Sequence, residues 1–366
     1  MMKYIKSTDN DILELIVVAI TLLTQLPLLL EYNSKFKILL IALWLILLIK
    51  NMKSLNIKVN NSFTLRLVLI LIFNIYIFVN SFFNLNYLRS VHFMSINMSF
   101  IFLLVGYTTR KKNFVEFIKK ISIIFILCVF FITINVYFDK FFRVDAMESS
   151  KYLYSSKNSL GILITFSIVF LINFKKKILG DILIIWLIFM LLLIQNRTGI
   201  ICVLVYIILS LINKKIKIKK RYIILFVIGV ALILIFYDKV SEFIFWSLKL
   251  DLSNNLDDLS SGRLTLYDRA INSFLDSPFL GNPLYYVDNF YICILAEYGV
   301  LGFLIVIPMI LLLIKDAFNI LRKKNNMIFY LLIISVIVSF FEAIPPFGPG
   351  AVYFIIWYYY GMYIAN

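Results

Sequence analysis

Charge is scarce in this chain, and so are the residues that usually carry chemistry. Only 15% of its 366 residues are Asp, Glu, Lys or Arg. There is a single histidine, His92, and one His cannot by itself build a metal centre. The three cysteines, Cys128, Cys202 and Cys293, fall inside apolar runs with no metal-ligand spacing and no disulfide framework, so they read as small apolar packing residues. No GxGxxG, P-loop, HExxH or GxSxG pattern occurs, which removes the sequence signals for dinucleotide binding, P-loop nucleotide hydrolysis, zinc proteolysis and serine hydrolysis. Neither an internal repeat nor a low-complexity tract is evident.

Apolar residues are what the chain has in excess. It is 62% hydrophobic and 17% aromatic, with mean hydropathy +0.94. No soluble core buries that much apolar surface. Runs of roughly 15 to 25 apolar residues recur along the whole length, the size needed to cross a bilayer core of about 30 Å as helix. A transmembrane barrel would alternate in segments of about 10 residues instead. The expected fold is therefore all-α: a single polytopic membrane domain over residues 1–366.

Twelve apolar spans can be drawn, at 11–30, 36–50, 63–83, 92–108, 117–138, 158–174, 178–195, 198–213, 222–238, 289–314, 326–344 and 349–364. The first begins with Asp11 and Glu14 and has no small-residue cleavage pattern, so it reads as an uncleaved membrane helix. The formal net charge of +16 sits in short connections. With the N-terminus inside, most of the Lys and Arg residues, including every long basic run, fall on the cytoplasmic side. Both termini are then expected in the cytoplasm of a multi-pass protein of the cell membrane. The run NKKIKIKKR at 213–221 reads as a lipid-headgroup contact rather than a nucleic-acid one.

Two outer segments are longer than the others, 139–157 and 239–288. The second is the large extracytoplasmic loop between helices 9 and 10. In it, Val240 to Leu250 has an apolar side fit for the interface. Leu264, Tyr267, Ala270, Ile271 and Phe274 then recur at helical spacing, until Ser277-Pro278 ends that helix.

Polar residues at a membrane boundary are costly to keep and need a reason. Arg263 and Arg269 flank the amphipathic helix of the loop, and Arg197 sits in the tight turn QNRTG on the same face. The planar guanidinium fork suits phosphate oxygens, and three forks at one face could hold a diphosphate; snorkelling to lipid phosphates or pairing with Asp257, Asp258 and Asp268 would account for them equally. Asp288 stands just before the tenth span, as a helix cap or as a general base for an incoming hydroxyl. Glu297 lies nine residues on, about 900° of helix rotation, so it faces away from Asp288 and reads as a helix-orienting carboxylate. Glu342 lies near the outer end of the eleventh span, before Pro345-Pro346. His92 opens the fourth span with no acid near it in sequence. The tyrosines read mostly as interfacial anchors, with Tyr285, Tyr286 and Tyr291 also able to stack on sugar rings.

The pattern SGR-LTLYDRAI-N-F-DSPFLG followed by D-N-FY-ILAEYGVLG, with the turn NRTGI, resembles the O-antigen ligase and polymerase superfamily. That resemblance implies about twelve spans, a large outer loop before the tenth, and a metal-independent inverting glycosyltransferase with no cofactor. Its partners would be undecaprenyl-diphosphate-linked oligosaccharides and membrane lipids, with other polysaccharide-assembly proteins in reach and no nucleic acid. Arg197 and Arg263 match the arginines thought to hold the diphosphate, and with Asp288 they form the expected catalytic set. Arg269, Tyr267, Asn289 and Glu297 are the expected substrate-binding residues. Ligases typically carry His-Asn where this chain has Asp288-Asn289. The pair Asp-Asn is common in capsule and O-antigen polymerases, so the expected activity is polymerisation of surface polysaccharide repeat units. A ligase or a lipid-linked oligosaccharide flippase is the alternative.

Overall fold

The computed structural model describes residues 8–26, 29, 33–52, 61–109, 113–142, 150–174, 178–213, 241–243, 262–283, 287–322, 326–348 and 353–365. Among these residues there are helices and turns and no strand. The helices are α1 (Thr8–Leu23), α2 (Asn33–Met52), α3 (Asn61–Ser81), the short α4 (Asn86–Arg89), α5 (Val91–Thr108), α6 (Phe114–Phe142) and α7 (Ser150–Asn173). They continue with α8 (Ile178–Leu193), α9 (Arg197–Ile212), α10 (Arg263–Asp276), α11 (Phe290–Arg322), α12 (Asn326–Val338) and α13 (Phe354–Ala365).

Among the described residues, four helical stretches are long and apolar enough to cross a membrane: Phe63–Ser81, Val91–Thr108, Phe114–Phe138 and Phe290–Arg322. Six shorter apolar stretches accompany them in α1, α2, α7, α8, α9 and α12. The ninth run of the sequence, 222–238, lies outside the described residues, as do the basic run after Asn213 and Tyr285 and Tyr286. Several boundaries differ from expectation, among them the end of the first span, whose helix stops at Leu23. The outer segment 139–157 is largely absorbed into helix, because α6 runs on to Phe142 and α7 starts at Ser150. The tenth span continues to Arg322. The eleventh stops at Val338, so Glu342 stands in a non-helical segment that leads to Pro345-Pro346, where the missing amide of proline forbids further helix.

The packing is that of helices in lipid. Outward faces keep large apolar residues in the open, among them Ile38, Ile75, Phe78 and Leu127. In the middle lies α13, whose residues from Phe354 to Met362 are buried apart from none. A helix apolar on all sides belongs in such a place. It meets α5 at backbone distance. A Cβ on Gly106 would sit 2.1 Å from the Tyr358 carbonyl oxygen, and one on Gly361 would sit 2.2 Å from the Leu103 carbonyl oxygen. Small residues at the crossing allow that approach. Three consecutive tyrosines of α13 then radiate to different neighbours: Tyr358 donates to Glu14, Tyr359 reaches Ser122 and Tyr360 reaches Asp316 and Arg66. The intramembrane charge of Arg66 is met by Asp316 in this way, as a low-dielectric setting demands.

The helix starts of α5, α7, α9 and α11 and the end of α12 gather at one end of the bundle, as the side-chain contacts among His92, Asn158, Thr198, Glu297 and Glu342 require. That is the end at which the functional candidates collect.

Candidate functional site

The amphipathic helix α10 is preceded by Gly262, which adopts φ 78°, a left-handed conformation that glycine accepts without strain. Its next residue is Arg263. The inward face carries Tyr267 and the buried Ala270, which pack with Val287, Cys293, Ala296 and Ala343. These are small side chains, so α10 lies close along the first turns of α11. Leu264, Ile271 and Leu275 point the other way and are exposed.

After α10 the chain forms a strap that closes a gap in α11. Gly299 has φ 61°, which breaks the helix and strips backbone groups of their usual partners. The strap supplies them. Val300 N–H donates to the Pro278 carbonyl at 2.9 Å, and Asn282 N–H donates to the Ala296 carbonyl at 2.7 Å. The two glycines make the contact possible: a Cβ on Gly281 would lie 2.6 Å from the Glu297 carbonyl oxygen, and one on Gly299 would lie 2.4 Å from the Phe279 carbonyl. The paired motifs DSPFLGN and AEYGVLG are therefore two halves of one joint. Tyr87 and Tyr76 donate to the Leu280 and Tyr298 carbonyls and fix it to α3 and α4.

The start of α11 is capped by Asn289. Its Oδ1 accepts from the Tyr291 and Ile292 amides at 3.0 and 3.1 Å, and its Nδ2 donates to the Phe340 carbonyl. This corrects the cap reading of Asp288. With Asn289 in that role, the Asp288 carboxylate turns to Arg263, with Oδ2 3.5 Å from Nη2. Arg263 also lies 3.8 Å from Glu342 Oε1. One guanidinium thus stands between two carboxylates from different parts of the chain. Tyr267 donates its hydroxyl to the Asp288 carbonyl at 3.0 Å.

Glu342 is anchored from two further helices. Asn158 of α7 donates to its Oε2 at 2.8 Å, and Thr198 of α9 donates to its Oε1 at 3.4 Å. Asn158 is in turn bonded by Asn196, the cap of α9, at 3.3 Å. Arg197 follows that cap, half-buried, and feels the positive charge of Arg263. Burial above all, and then the nearby Asp288 carboxylate, push the Glu342 carboxyl up to about 7; Arg263, Asn158 and Thr198 pull it back.

The structure thus brings together Arg197, Arg263, Tyr267 and Asp288 from the expected set. Arg269 is exposed, and about 600° of helix rotation from Arg263 turns it to another face of α10. Asn289 is spent on the cap. Glu297 is buried away from the arginines and pairs with His92 Nδ1. The donor atoms of His92, Cys293 and Glu297 lie within 4.8 Å of one another, but His92 spends both nitrogens on Glu297 and the Ala343 carbonyl, so the trio reads as a structural pair rather than a metal centre. Glu342, Asn158, Asn196 and Thr198 are the members of the site that motif reading does not assemble. The signal for Glu342 was present, as an acid at the end of an apolar run, but its partner was not.

Residues 182–307 match a family model described as O-antigen ligase. A search of curated proteins found no match. The matched region runs from α8 to the middle of α11 and holds Arg197, Arg263, Asp288 and the broken helix.

Proposed function

Taking as premise a chain of the O-antigen ligase and polymerase superfamily, with its family region at 182–307, we propose that it polymerises undecaprenyl-diphosphate-linked oligosaccharide repeat units at the outer face of the cell membrane. The observation that carries this reading is the Arg263 guanidinium set beside Asp288, with Arg197 close by, at one end of a helical membrane bundle. A hydroxyl of one lipid-linked unit attacks the anomeric carbon of a second chain. The new glycosidic C–O bond forms with inversion as the bond to the diphosphate breaks, the hydroxyl proton goes to Asp288, and undecaprenyl diphosphate departs.

Each residue has a physical task in that step. The charge that grows on the leaving diphosphate is met by Arg263 and Arg197, a term that removing one oriented donor cuts by about 100- to 1000-fold. Of the two carboxylates beside Arg263, the Asp288 side chain is 30% exposed and the Glu342 side chain 9%. Asp288 is the one an acceptor can reach, so it takes the proton, and Glu342 holds the arginine. Both substrates stay in the membrane, which raises their effective concentration without a soluble carrier. Metal independence, the diphosphate carrier and the cytoplasmic placement of both termini belong to the same proposal.

The family model's description favours a second reading, transfer of a finished glycan to another acceptor. Cells lacking the protein separate these readings. Accumulation of single lipid-linked units on the outer leaflet supports polymerisation. Long lipid-linked polymer left unattached indicates the ligase, and single units held on the cytoplasmic leaflet indicate a flippase.

A further inference from the structure

The lone histidine is buried, 1% exposed, and makes two bonds that tie separate parts of the site together. Its Nε2 lies 2.8 Å from the Ala343 carbonyl oxygen. A carbonyl only accepts, so Nε2 carries the proton and donates. Its Nδ1 bonds Glu297 Oε2, and one proton is shared between those two atoms. Glu297 therefore fixes the ring orientation in which Nε2 faces Ala343, as an acid bonded to the far nitrogen of a histidine does elsewhere.

Ala343 follows Glu342, the carboxylate that holds Arg263. Glu297 lies next to the strap-filled break of α11, and the strap leads back to α10 and Arg263. The contacts close a ring: Arg263, α10, the strap, Glu297, His92, Ala343, Glu342 and Arg263 again. Asn289 and Tyr291 tie the first turn of the broken helix to Phe340 and Ser339, while His92 ties it two turns deeper, from Glu297 to Ala343, the residue next to Glu342. The segment 339–348 is non-helical and lacks a regular backbone ladder of its own, so its height along the bundle depends on such ties.

We infer that His92 is a positioning residue for glycosyl transfer: by holding the Ala343 carbonyl it sets the Glu342 carboxylate, and through it the Arg263 fork, at the place where leaving-group charge develops. This inference rests on the function proposed above. It assigns His92 no contact with substrate. What it predicts is a loss in turnover with little change in substrate binding, because a misplaced fork is felt most when the diphosphate bears its full charge.

Two replacements divide the bonds of His92. The amide of His92→Asn keeps a donor near Nδ1 for Glu297 and loses Ala343. That of His92→Gln reaches the Nε2 position and keeps Ala343. In purified, reconstituted, monodisperse protein given a lipid-linked repeat unit, His92→Asn should lower kcat about tenfold or more with KM within about twofold, and His92→Gln should restore kcat to within about threefold of the wild type. Because the effect runs through Glu342, His92→Asn should cost nothing further in a Glu342→Gln background. Losses that multiply in the double variant, or an Asn variant as active as the Gln variant, overturn the inference. Wild-type protein that elongates nothing refutes the polymerase reading instead. The same cycle is then scored on affinity for a polyprenyl diphosphate, where coupling between positions 92 and 342 supports His92 and simple additivity overturns it.

Discussion

Replacing Glu342 by Gln should make the protein more stable at alkaline pH while making it a poorer catalyst. The carboxyl is nearly buried, and burial together with Asp288 raises it from its ordinary value of 4.5 to about 7. A folded-state value above the unfolded one means that the folded protein prefers the neutral acid. The resulting stabilisation is complete below pH 4.5 and is lost as pH rises through about 7. At about 1.4 kcal/mol per pH unit, that span corresponds to about 3 kcal/mol. Gln is neutral at every pH and can still accept from Asn158 with its carbonyl oxygen. The difference in thermal midpoint between Glu342→Gln and wild type should therefore be small near pH 5 and grow by several degrees in favour of the Gln variant near pH 8. Tryptophan fluorescence during heating of reconstituted protein would follow it. In parallel, turnover above about pH 7 should fall, since there Arg263 loses a charged anchor. Midpoints that stay parallel from about pH 5 to pH 8, or a wild type that gains on the variant as pH rises, would refute the reasoning.

Other substitutions test other parts of the account. Asn289→Ala removes the α11 cap and should cost about 1 kcal/mol of stability, measured by chemical or thermal unfolding. Gly299→Ala forces a side chain into φ 61° and 2.4 Å from the Phe279 backbone, so it should lower the midpoint and raise proteolytic cleavage in the strap, whereas Ala at Gly262 meets no neighbouring atom and should cost only the smaller strain of its left-handed φ 78°. Tyr267→Phe deletes one hydroxyl bond to the Asp288 carbonyl and should cost about 1 kcal/mol in unfolding experiments, with the fold retained.

The helical membrane character of the chain was legible in the sequence because apolar runs of span length are a composition signal that survives without tertiary information. Arg197, Arg263 and Asp288 were legible because charges at a membrane boundary stand out. The cap was misplaced by one residue: Asp and Asn are both good caps, and only the geometry of Asn289 Oδ1 toward two amides separates them. Glu342 was read as lying in a span because hydropathy continues past Val338 and conceals the end of the helix. His92 had no visible acid because Glu297 comes 205 positions later. The strap was hidden for a different reason. A broken helix joined to a loop leaves only glycines and a proline in the sequence, which mark turns without naming their partner.

The most direct test of the central claim is elongation by the purified protein itself. Reconstituted in lipid with chemically defined undecaprenyl-diphosphate-linked repeat units and no metal chelatable from solution, the wild type should produce a ladder of longer lipid-linked glycans and free undecaprenyl diphosphate, and Arg263→Ala, folded to the same midpoint, should produce neither. A ladder from Arg263→Ala, or none from the wild type, would contradict the account.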